Sequence, residues 1–347
     1  MPLLNLNHKT PNRKFNSNGY GIVAACAFCA VAGLADNFAN ASAVFPMQAF
    51  NVIILGAPNT KGGRTSVGSF SDNSDIQGSA FINGDVAGST FAGNGLPSGD
   101  TIGLEVTGGV TSSSVHVNNG NVLLGGTAVS GFSVNSGGTT TQNSSQPATD
   151  LANFSSTLTS TSDQWAKLAT TNGTSVTDSN NDLSFNIPVN AGNLVVFNIS
   201  GSTFSPSSPV SNIIFSNIGT NQQVLINVSG TSFIEPGGLN FNGDTTIADN
   251  VIWNFAQATS IGLASGFYGS ILAPNATLTD SSTITGNIAV ANINSPGEID
   301  FASPNFTAPL HAIPAGGPLP VPASFGLVAI GAAALLAGAG LRKRVKM

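Results

Sequence analysis

The sequence predicts a mainly β protein made of many short strands joined by tight turns. Val, Ile and Thr recur throughout the body of the chain, and these residues favour the pleated surface of a sheet. The 347 residues include 41 glycines, and Gly and Asn supply the positive-φ corners between short strands. Turn signals recur at intervals of roughly ten to fifteen residues, which is typical of a sandwich or of the coils of a β-solenoid.

Two features of the body refine this prediction. Its regular Val, Ile, Leu and Phe content argues against disorder, because a disordered chain lacks the apolar residues that build a core. It also has no strict sequence repeat, which argues against a highly regular solenoid. An irregular β-helix and a sandwich therefore both remain open at this point.

The first 43 residues have the layout of a secretory signal peptide. Basic residues at positions 9, 13 and 14 precede an apolar run over residues 21–34. Overlapping small-x-small sites end at Ala41 and Ala43, which predicts cleavage after Ala43, with Ala41 as the second choice. Cys26 and Cys29 lie within the apolar run, so their spacing is interpreted as an accident of composition and not as a redox or metal motif.

The end of the chain predicts a membrane anchor. Residues 307–322 form a Pro- and Gly-containing linker, residues 323–341 are small or apolar, and residues 342–347 form a basic tail that opens with Arg342, Lys343 and Arg344. A helix of this length, rising about 1.5 Å per residue, covers nearly all of a ~30 Å hydrocarbon core. The basic tail is expected to stay in the cytoplasm, so the body lies on the other side of the membrane.

The same region carries a family resemblance. Pro320, Val321 and Pro322, followed by Ala323-Ser324, an apolar helix and the basic cluster, resemble C-terminal sorting signals of the PEP-CTERM type of Gram-negative bacteria. Gly317-Pro318-Leu319-Pro320, just before them, resembles the VPLPA variant of these signals. The resemblance implies an exosortase-like membrane enzyme as partner and release or attachment of the body at the cell surface. Val321 departs from the commonest form, which has an acid there. The alternative is an ordinary single-pass anchor.

The charge of the body excludes two classes of partner. Between Val44 and Pro320 the cations are Lys61, Arg64 and Lys167, against 15 acidic residues, so the net charge is −12. Such a field repels nucleic acid and anionic lipid headgroups. The body also contains no cysteine, so its stability must come from a buried core and not from disulfides.

One segment of the body predicts a helix among the strands. Over residues 147–169, apolar side chains recur at spacings that place them on one side of a helix, namely Leu151, Phe154, Leu158, Trp165 and Leu168. Such a helix is expected to cover apolar sheet surface, with Trp165 as a core anchor. The main strands are predicted over residues 50–56, 74–86, 101–106, 110–124, 193–199, 210–215, 223–228, 239–241, 250–255, 269–272 and 283–291.

The body resembles the choice-of-anchor A family over residues 44–306. The landmarks are the opening segments 50–56 and 74–86 and the closing segments 250–255, 266–276, 285–291 and 297–299. The resemblance implies a right-handed β-helix of the ice-binding-like adhesive kind with one helix packed along it. It also implies an adhesive or matrix role for an exported protein, with no established catalytic residues. An extracellular polysaccharide or another surface ligand is the expected partner.

Three alternatives for chemistry stay open. Asp72 to Asp75 and Asp178 to Asp182 are oxygen-rich loops of the type that binds Ca²⁺, although Asn and Asp are also common in turns. A polysaccharide-active β-helix would need two carboxylates in a groove beside Trp253 or Trp165, and both tryptophans are expected in the core.

The third alternative rests on threonine. The Thr-x-Thr pairs at 277–279 and 283–285 would order water or ice only within a wider flat array. No metalloprotease, nucleophile-elbow or nucleotide-binding motif occurs in the sequence, and the two histidines beyond the leader are His116 and His311. The sequence therefore predicts a non-catalytic, exported adhesive or matrix protein without a cofactor.

Overall fold

The fold is described from a computed structural model of the chain. It describes residues 45–72, 75–88, 91–96, 101–204, 210–219, 222–235, 237–241, 246–294 and 297–300. The chain divides into two units, Met1–Ala43 and Val44–Met347, and all described residues belong to the second. The predicted signal peptide, the linker over 307–322, the apolar segment over 323–341 and the basic tail lie outside the described residues.

The described chain is mainly β, with few helices. The helices are α1 (Pro46–Ala49), α2 (Gln146–Trp165), a 3₁₀ turn (Gly201–Phe204) and α3 (Thr246–Asn250). The strands are β1 (Val52–Ile54), β2 (Ser69–Asp72), β3 (Asp75–Gln77), β4 (Ala80–Ile82), β5 (Asp85–Gly88), β6 (Phe91–Asn94), β7 (Ile102–Val106), β8 (His116–Val117), β9 (Asn121–Leu124), β10 (Ser133–Val134), β11 (Thr140–Thr141), β12 (Ser175–Ser179), β13 (Asp182–Asn186), β14 (Leu194–Ser200), β15 (Asn212–Ser216), β16 (Gln223–Ser229), β17 (Ser232–Ile234), β18 (Asn240–Phe241), β19 (Val251–Asn254), β20 (Ser260–Leu263), β21 (Phe267–Tyr268), β22 (Ser270–Asp280), β23 (Ile284–Thr285), β24 (Ile288–Asn294) and β25 (Ile299–Asp300).

Stacked parallel strands form the sides of a β-helix-like solenoid. The largest sheet has the order β11-β9-β7-β4-β1-β24-β22-β19-β16-β14, with β17 and β20 attached at β22. A second sheet has the order β10-β8-β6-β3-β25-β23-β21, and a third has the order β12-β13-β15-β18. Apart from the β12–β13 hairpin, every strand pair in the described chain is parallel, as expected when successive coils stack. The predicted β-helix architecture is thus confirmed in its general form, and its right-handedness stays a prediction.

The coils are not stacked in chain order. The chain enters in the middle of the large sheet at β1, and successive coils lead outward to β11. It then passes along α2, starts again at the opposite end with β14, and returns coil by coil to β24. There β24 pairs with β1, Val52 opposite Ile288, so the two halves meet in the centre of the sheet.

Unequal coil lengths explain the missing sequence repeat. Hydrogen bonds between neighbouring coils connect residues that are 17 apart at Asn287 and Ser270 and 18 apart at Thr139 and Asn121. Elsewhere the separation is 24 or 30 residues. The longer coils contain additional segments, such as the 3₁₀ turn over Gly201–Phe204 between β14 and β16, so neighbouring coils still pair although the sequence has no fixed period.

The part of the large sheet that α2 covers is buried on both sides. In β1, Val52 and Ile54 belong to the interior core of the solenoid, whereas Ile53 lies in a second core on the outer side. This second core, which we call the helix-side core, lies between the sheet and α2 and includes Phe81, Leu158 and Trp165. Strands buried on both faces are expected to be continuously apolar, which is the pattern of residues 50–56.

The predicted helix is confirmed with its apolar face toward the sheet. Leu158 and Trp165 are fully buried in the helix-side core, and Leu151, Phe154 and Leu168 pack against it. The helix ends at Trp165, earlier than the predicted residue 169. Leu168 nevertheless packs where the helical pattern placed it, because the chain beyond Trp165 continues along the same core.

Asparagine side chains fix the end of α2 on the sheet. Asn227 and Asn254 are register partners on β16 and β19. Asn254 donates to the carbonyl of Ser162 at 2.9 Å, and Asn227 donates to the carbonyl of Trp165 at 2.8 Å. Each of these carbonyls also accepts a backbone N–H, from Ala166 and Leu168 respectively, so the amides use the second lone pair of each oxygen and attach the end of α2 to the sheet.

The expected position of Trp253 in the core is confirmed. Trp253 is fully buried, its ring centroid lies 5.3 Å from that of Phe267, and its Nε1 donates to the carbonyl of Tyr268 at 3.0 Å. Gly269 follows with a φ of +105°, and a Cβ there would lie 2.8 Å from the Nε1 of Trp253. Glycine is therefore required where the coil turns over the indole.

Candidate functional site

The predicted sorting and processing residues fall outside the part of the chain that the structure describes. They are Ala41, Ala43, Pro320, Val321, Pro322, Arg342, Lys343 and Arg344. Within the described ranges, no helix is long and apolar enough to cross a membrane.

Neither tryptophan is a ligand platform. Trp165 is 1% exposed and packs 5.8 Å from Phe45 between ring centroids, and Trp253 is fully buried in the interior core. The structural interpretation of both side chains is confirmed. A sugar that stacks on an aromatic ring would have to find another residue.

The most buried carboxylates serve the fold. Both oxygens of Glu235 accept backbone N–H groups, one from Gly237 at 2.7 Å and the other from Ala264 and Ser265 at 2.8 Å. Asp280 is 1% exposed and accepts backbone N–H groups at a corner, where burial raises its pKa to about 6 against the opposing effect of those hydrogen bonds.

One pair of carboxyl groups does lie close together. Glu105 on β7 is 3% exposed, and burial together with the neighbouring carboxyl of Asp150 on α2 raises its pKa to about 8. This pair lies near the N-terminal end of α2, at the opposite end of the helix from Trp165. It is covered by the helix, so it differs from the open groove beside a tryptophan that a polysaccharide-active enzyme would require.

Of the two oxygen-rich loops that were candidates for Ca²⁺ binding, the structure describes one in full and the other in part. Asp178 and Asp182 flank a hairpin turn between β12 and β13, in which Asn180 and Asn181 have φ of +56° and +66°. Two positive φ values are typical of a type I′ turn, so the turn interpretation of this loop is confirmed. The loop from Asp72 to Asp75 is only partly described. Within the described ranges, no group of three His, Cys, Asp or Glu side chains could hold a metal ion.

One face of the solenoid carries two ranks of small polar side chains. On β20, β22 and β24, Ser260, Thr277 and Asn292 are register partners. The second rank lies two residues further along the same strands and consists of Gly262, Thr279 and Asn294. Thr285 lies on β23 in the second sheet, so the two predicted Thr-x-Thr pairs belong to different sheets and do not form one array.

A second face is acidic at its centre. Asp75 on β3 and Glu298 and Asp300 at β25 lie next to one another where these strands pair. Burial, followed by the charges of Glu298 and Asp75, raises the pKa of Asp300. Further along the same sheet, Asn118 donates to Asn94 and accepts from Asn135, which forms a ladder of amides.

One cavity formed by the described residues lies beside α2. It has a volume of about 590 Å³ and lies between the outer side of α2 and the loop over residues 58–64; we call it the α2 groove. Its wall includes Pro58, Arg64, Leu151, Ser155 and Thr159. A second cavity, of about 400 Å³, lies beside Asn198, Asn227 and Asn254, whose amides already bond to one another and to the end of α2.

From the sequence, Arg64 was noted only as one of the three cations of the body, and no contact was predicted for it. Its Nε donates to the hydroxyl of Ser155 at 2.8 Å and its Nη2 to that of Thr159 at 2.9 Å. Its Nη1 donates to the carbonyls of Gly56 and Pro274, at 3.2 and 2.5 Å. These partners are up to 210 residues away in sequence, so no local pattern indicates them.

The comparisons with known proteins give one match. Residues 44–301 match a family model whose description reads "Putative Ice-binding-like adhesive domain". No curated protein and no solved structure gives a significant match. The matched range contains every residue that the structure describes. The narrower resemblance to choice-of-anchor A proteins and the sorting signal are not part of this match and stay predictions.

Proposed function

Because the chain belongs to the ice-binding-like adhesive domain family, whose members are grouped as surface adhesive domains, we propose that it is an exported, non-catalytic adhesive protein of the cell envelope or extracellular matrix. The match over residues 44–301 carries this proposal, since it covers the whole solenoid. The sequence patterns at the two ends support export and sorting, because a leader and an anchor would place the solenoid outside the membrane.

The solenoid would act by display. Neighbouring strands lie about 4.8 Å apart, so side chains at equivalent positions recur at that interval along each face. The Ser, Thr and Asn ranks and the Asn ladder thus offer repeated hydroxyl and amide groups to a polymer with repeating units. Many weak contacts of this kind add up to firm attachment when several protein copies are held on one surface.

Sorting would depend on the other end of the chain. An exosortase-like enzyme would recognise Pro320 to Pro322 after the apolar helix has stopped in the membrane, with Arg342 to Arg344 on the cytoplasmic side. The test is the intact mass and location of the protein in its native cell, with and without residues 320–347. A surface or released form that lacks the tail supports sorting, whereas a membrane-bound form that keeps the tail contradicts it.

Adhesion is tested by the binding of the protein to extracellular polysaccharide from its own cell. We expect weak binding of single copies in solution and much stronger binding of a surface coated with many copies. The same coating made with heat-unfolded protein is the control. Equal binding of the folded and the unfolded coatings would show that the solenoid faces are not responsible.

The regular Ser, Thr and Asn ranks favour ordered water as a second candidate ligand. The register of these strands places the hydroxyl groups of Ser260, Thr277 and Thr279 at neighbouring positions, and hydroxyl groups placed in this way would hold a layer of ordered water. Thr279→Tyr would interrupt this layer, and Asn153→Tyr on the exposed side of α2 is the control. Inhibition of ice recrystallisation that is lost in the first variant alone supports the idea. Its absence from the unmodified protein refutes it.

A further inference from the structure

We propose that the α2 groove binds the carboxylate of a saccharide that carries few charges. The inference rests on the proposed adhesive function and deepens it, because it gives the surface ligand a chemical class and a place. Three observations support it: a fixed arginine without an anion, free hydroxyl donors beside it, and a cavity of suitable size.

The Arg64 guanidinium is held in place by uncharged groups. All four of its acceptors, two hydroxyl groups and two backbone carbonyls, are neutral. Burial lowers the pKa of Arg64, and no carboxylate opposes this effect. The side chain nevertheless stays protonated at every physiological pH. A partly buried cation whose partners are all neutral has no opposite charge to compensate for the loss of its hydration. A bound anion would offset this cost of desolvation.

Donors remain for such an anion. A guanidinium has five N–H groups, and four are used, so one N–H of Nη2 is left. The hydroxyls of Ser155 and Thr159 accept from Arg64, and neither has an acceptor for its own hydrogen among the described residues. One N–H and two O–H groups thus border the groove. A carboxylate has two oxygens and accepts only, which is the complement of this set.

The remaining wall suits a sugar ring. The volume of about 590 Å³ lies within the range of about 300–1,000 Å³ that is usual for small-molecule sites. Pro58, Leu151 and Ala152 provide apolar surface for the C–H faces of a ring, and the side chain of Asn275 provides an amide for its hydroxyls. Simple anions would leave this surface unused.

The charge of the whole body limits the ligand to few charges. Arg64 and Lys61 are two of the three cations in a body with net charge −12. Asp163 also lines the groove. A polyanion would be repelled by the surrounding field, whereas a single carboxylate feels mainly the nearby guanidinium. The groove should therefore prefer one acidic unit in an otherwise neutral chain.

The experiment uses the full chain and titration calorimetry. The probe is glucuronyl-N-acetylglucosamine, a disaccharide with one carboxylate, and its uncharged methyl ester is the matched ligand control. We expect the acid to bind, the ester to bind at least about tenfold more weakly, and the affinity of the acid to fall with added salt. Polyglucuronate should bind more weakly per carboxylate than the disaccharide.

Variants test the groove without disturbing the bonds of Arg64, since Arg64→Met would also remove contacts that hold the fold. Ser156 is exposed and lines the groove, whereas Thr157 is exposed and lies outside it. Ser156→Trp should fill the groove and weaken binding at least about tenfold, and Thr157→Trp should leave it unchanged. Asp163→Asn should strengthen binding about two- to fivefold, because it removes a negative charge from the wall.

Equal binding of acid and ester, equal binding of acetate and the disaccharide, or unchanged binding in Ser156→Trp would each overturn the proposal. These results are separable from a failure of the adhesive function. If Ser156→Trp loses the disaccharide but still attaches to the native polysaccharide, the groove inference stands for the probe and adhesion proceeds through another face. If the unmodified chain binds the disaccharide but not the native polysaccharide, the proposed function fails while the site remains.

Discussion

Glu105→Gln should stabilise the protein in alkaline solution and have little effect in acid. Glu105 lies in β7 between its register partners Phe81 and Leu123, on the side of the sheet that α2 covers. It faces the carboxyl of Asp150, which in turn accepts both hydrogen bonds of the Gln146 amide, at 2.9 and 3.0 Å. Protonated Glu105 is neutral in this place, and glutamine has the same shape and charge.

The size of the effect follows from the raised pKa. Glu105 has an ordinary pKa of 4.5 in the unfolded chain and a pKa of about 8 in the folded protein, so the folded protein binds more protons between these values. The free energy of unfolding therefore falls as the pH rises from about 4.5 to about 8 and is unaffected by this group at lower pH. The full difference corresponds to roughly 4–5 kcal/mol. Asp150 is only half-buried, so solvent screens part of this difference, which leaves about 2–3 kcal/mol.

Urea unfolding of both proteins at pH 5, 7 and 9 measures this effect. The gain in unfolding free energy caused by Glu105→Gln should be near zero at pH 5 and reach about 2–3 kcal/mol at pH 9. Asp280, whose pKa is also raised, is present in both proteins and cancels in the difference. A gain that is equal at pH 5 and pH 9 would refute the reasoning, because it would show that Glu105 does not titrate between them.

Three further predictions concern the core and its corners, each measured by urea unfolding. Trp165→Ala should cost about 3–5 kcal/mol, because it empties the helix-side core, and it should lower the helical circular dichroism as α2 loosens. Gly269→Ala should cost more than about 2 kcal/mol, since its Cβ would displace Trp253 from the carbonyl of Tyr268; an unchanged tryptophan fluorescence spectrum would contradict this. Asp280→Ala should cost about 1–2 kcal/mol, because it leaves two partly buried backbone N–H groups without this acceptor.

The sequence predicted the elements of this fold better than their arrangement. Runs such as residues 223–228 and 250–255 become β16 and β19 almost unchanged, because an apolar run between turn signals has few alternatives to a buried strand. The order of the coils was not predictable, since all these strands carry the same apolar pattern and none specifies its neighbour. The pairing of β1 with β24, 236 residues apart at Val52 and Ile288, depends on the whole fold.

The α2 groove was even harder to predict from the sequence than the order of the coils. Arg64 lies in a polar loop, and its hydroxyl partners lie on the side of α2 that the apolar pattern assigned to solvent. Glu105 did give a signal, because it is an acid within the strand Ile102–Val106, whose other side chains are apolar or glycine. A carboxylate in such a strand requires either an exposed face or a raised pKa, and the helix above it decides between them.

The discontinuous order of the coils affects when the domain can fold, and this bears on the proposed export of the chain. The edge of β1 that pairs with β24 remains unpaired until residues 288–294 are available, and an exposed strand edge is prone to wrong pairing. The hydrogen bonds of Arg64 also require distant segments of the chain to be in place. They join the loop after β1 to the middle of α2 and to the corner of β22 at Pro274. Closure of the solenoid thus needs contacts from the beginning, middle and end of the domain. Such long-range contacts form late in folding, so a chain that is exported from its N-terminus, as we propose for this protein, would remain unfolded during transfer and close once its last coils have emerged.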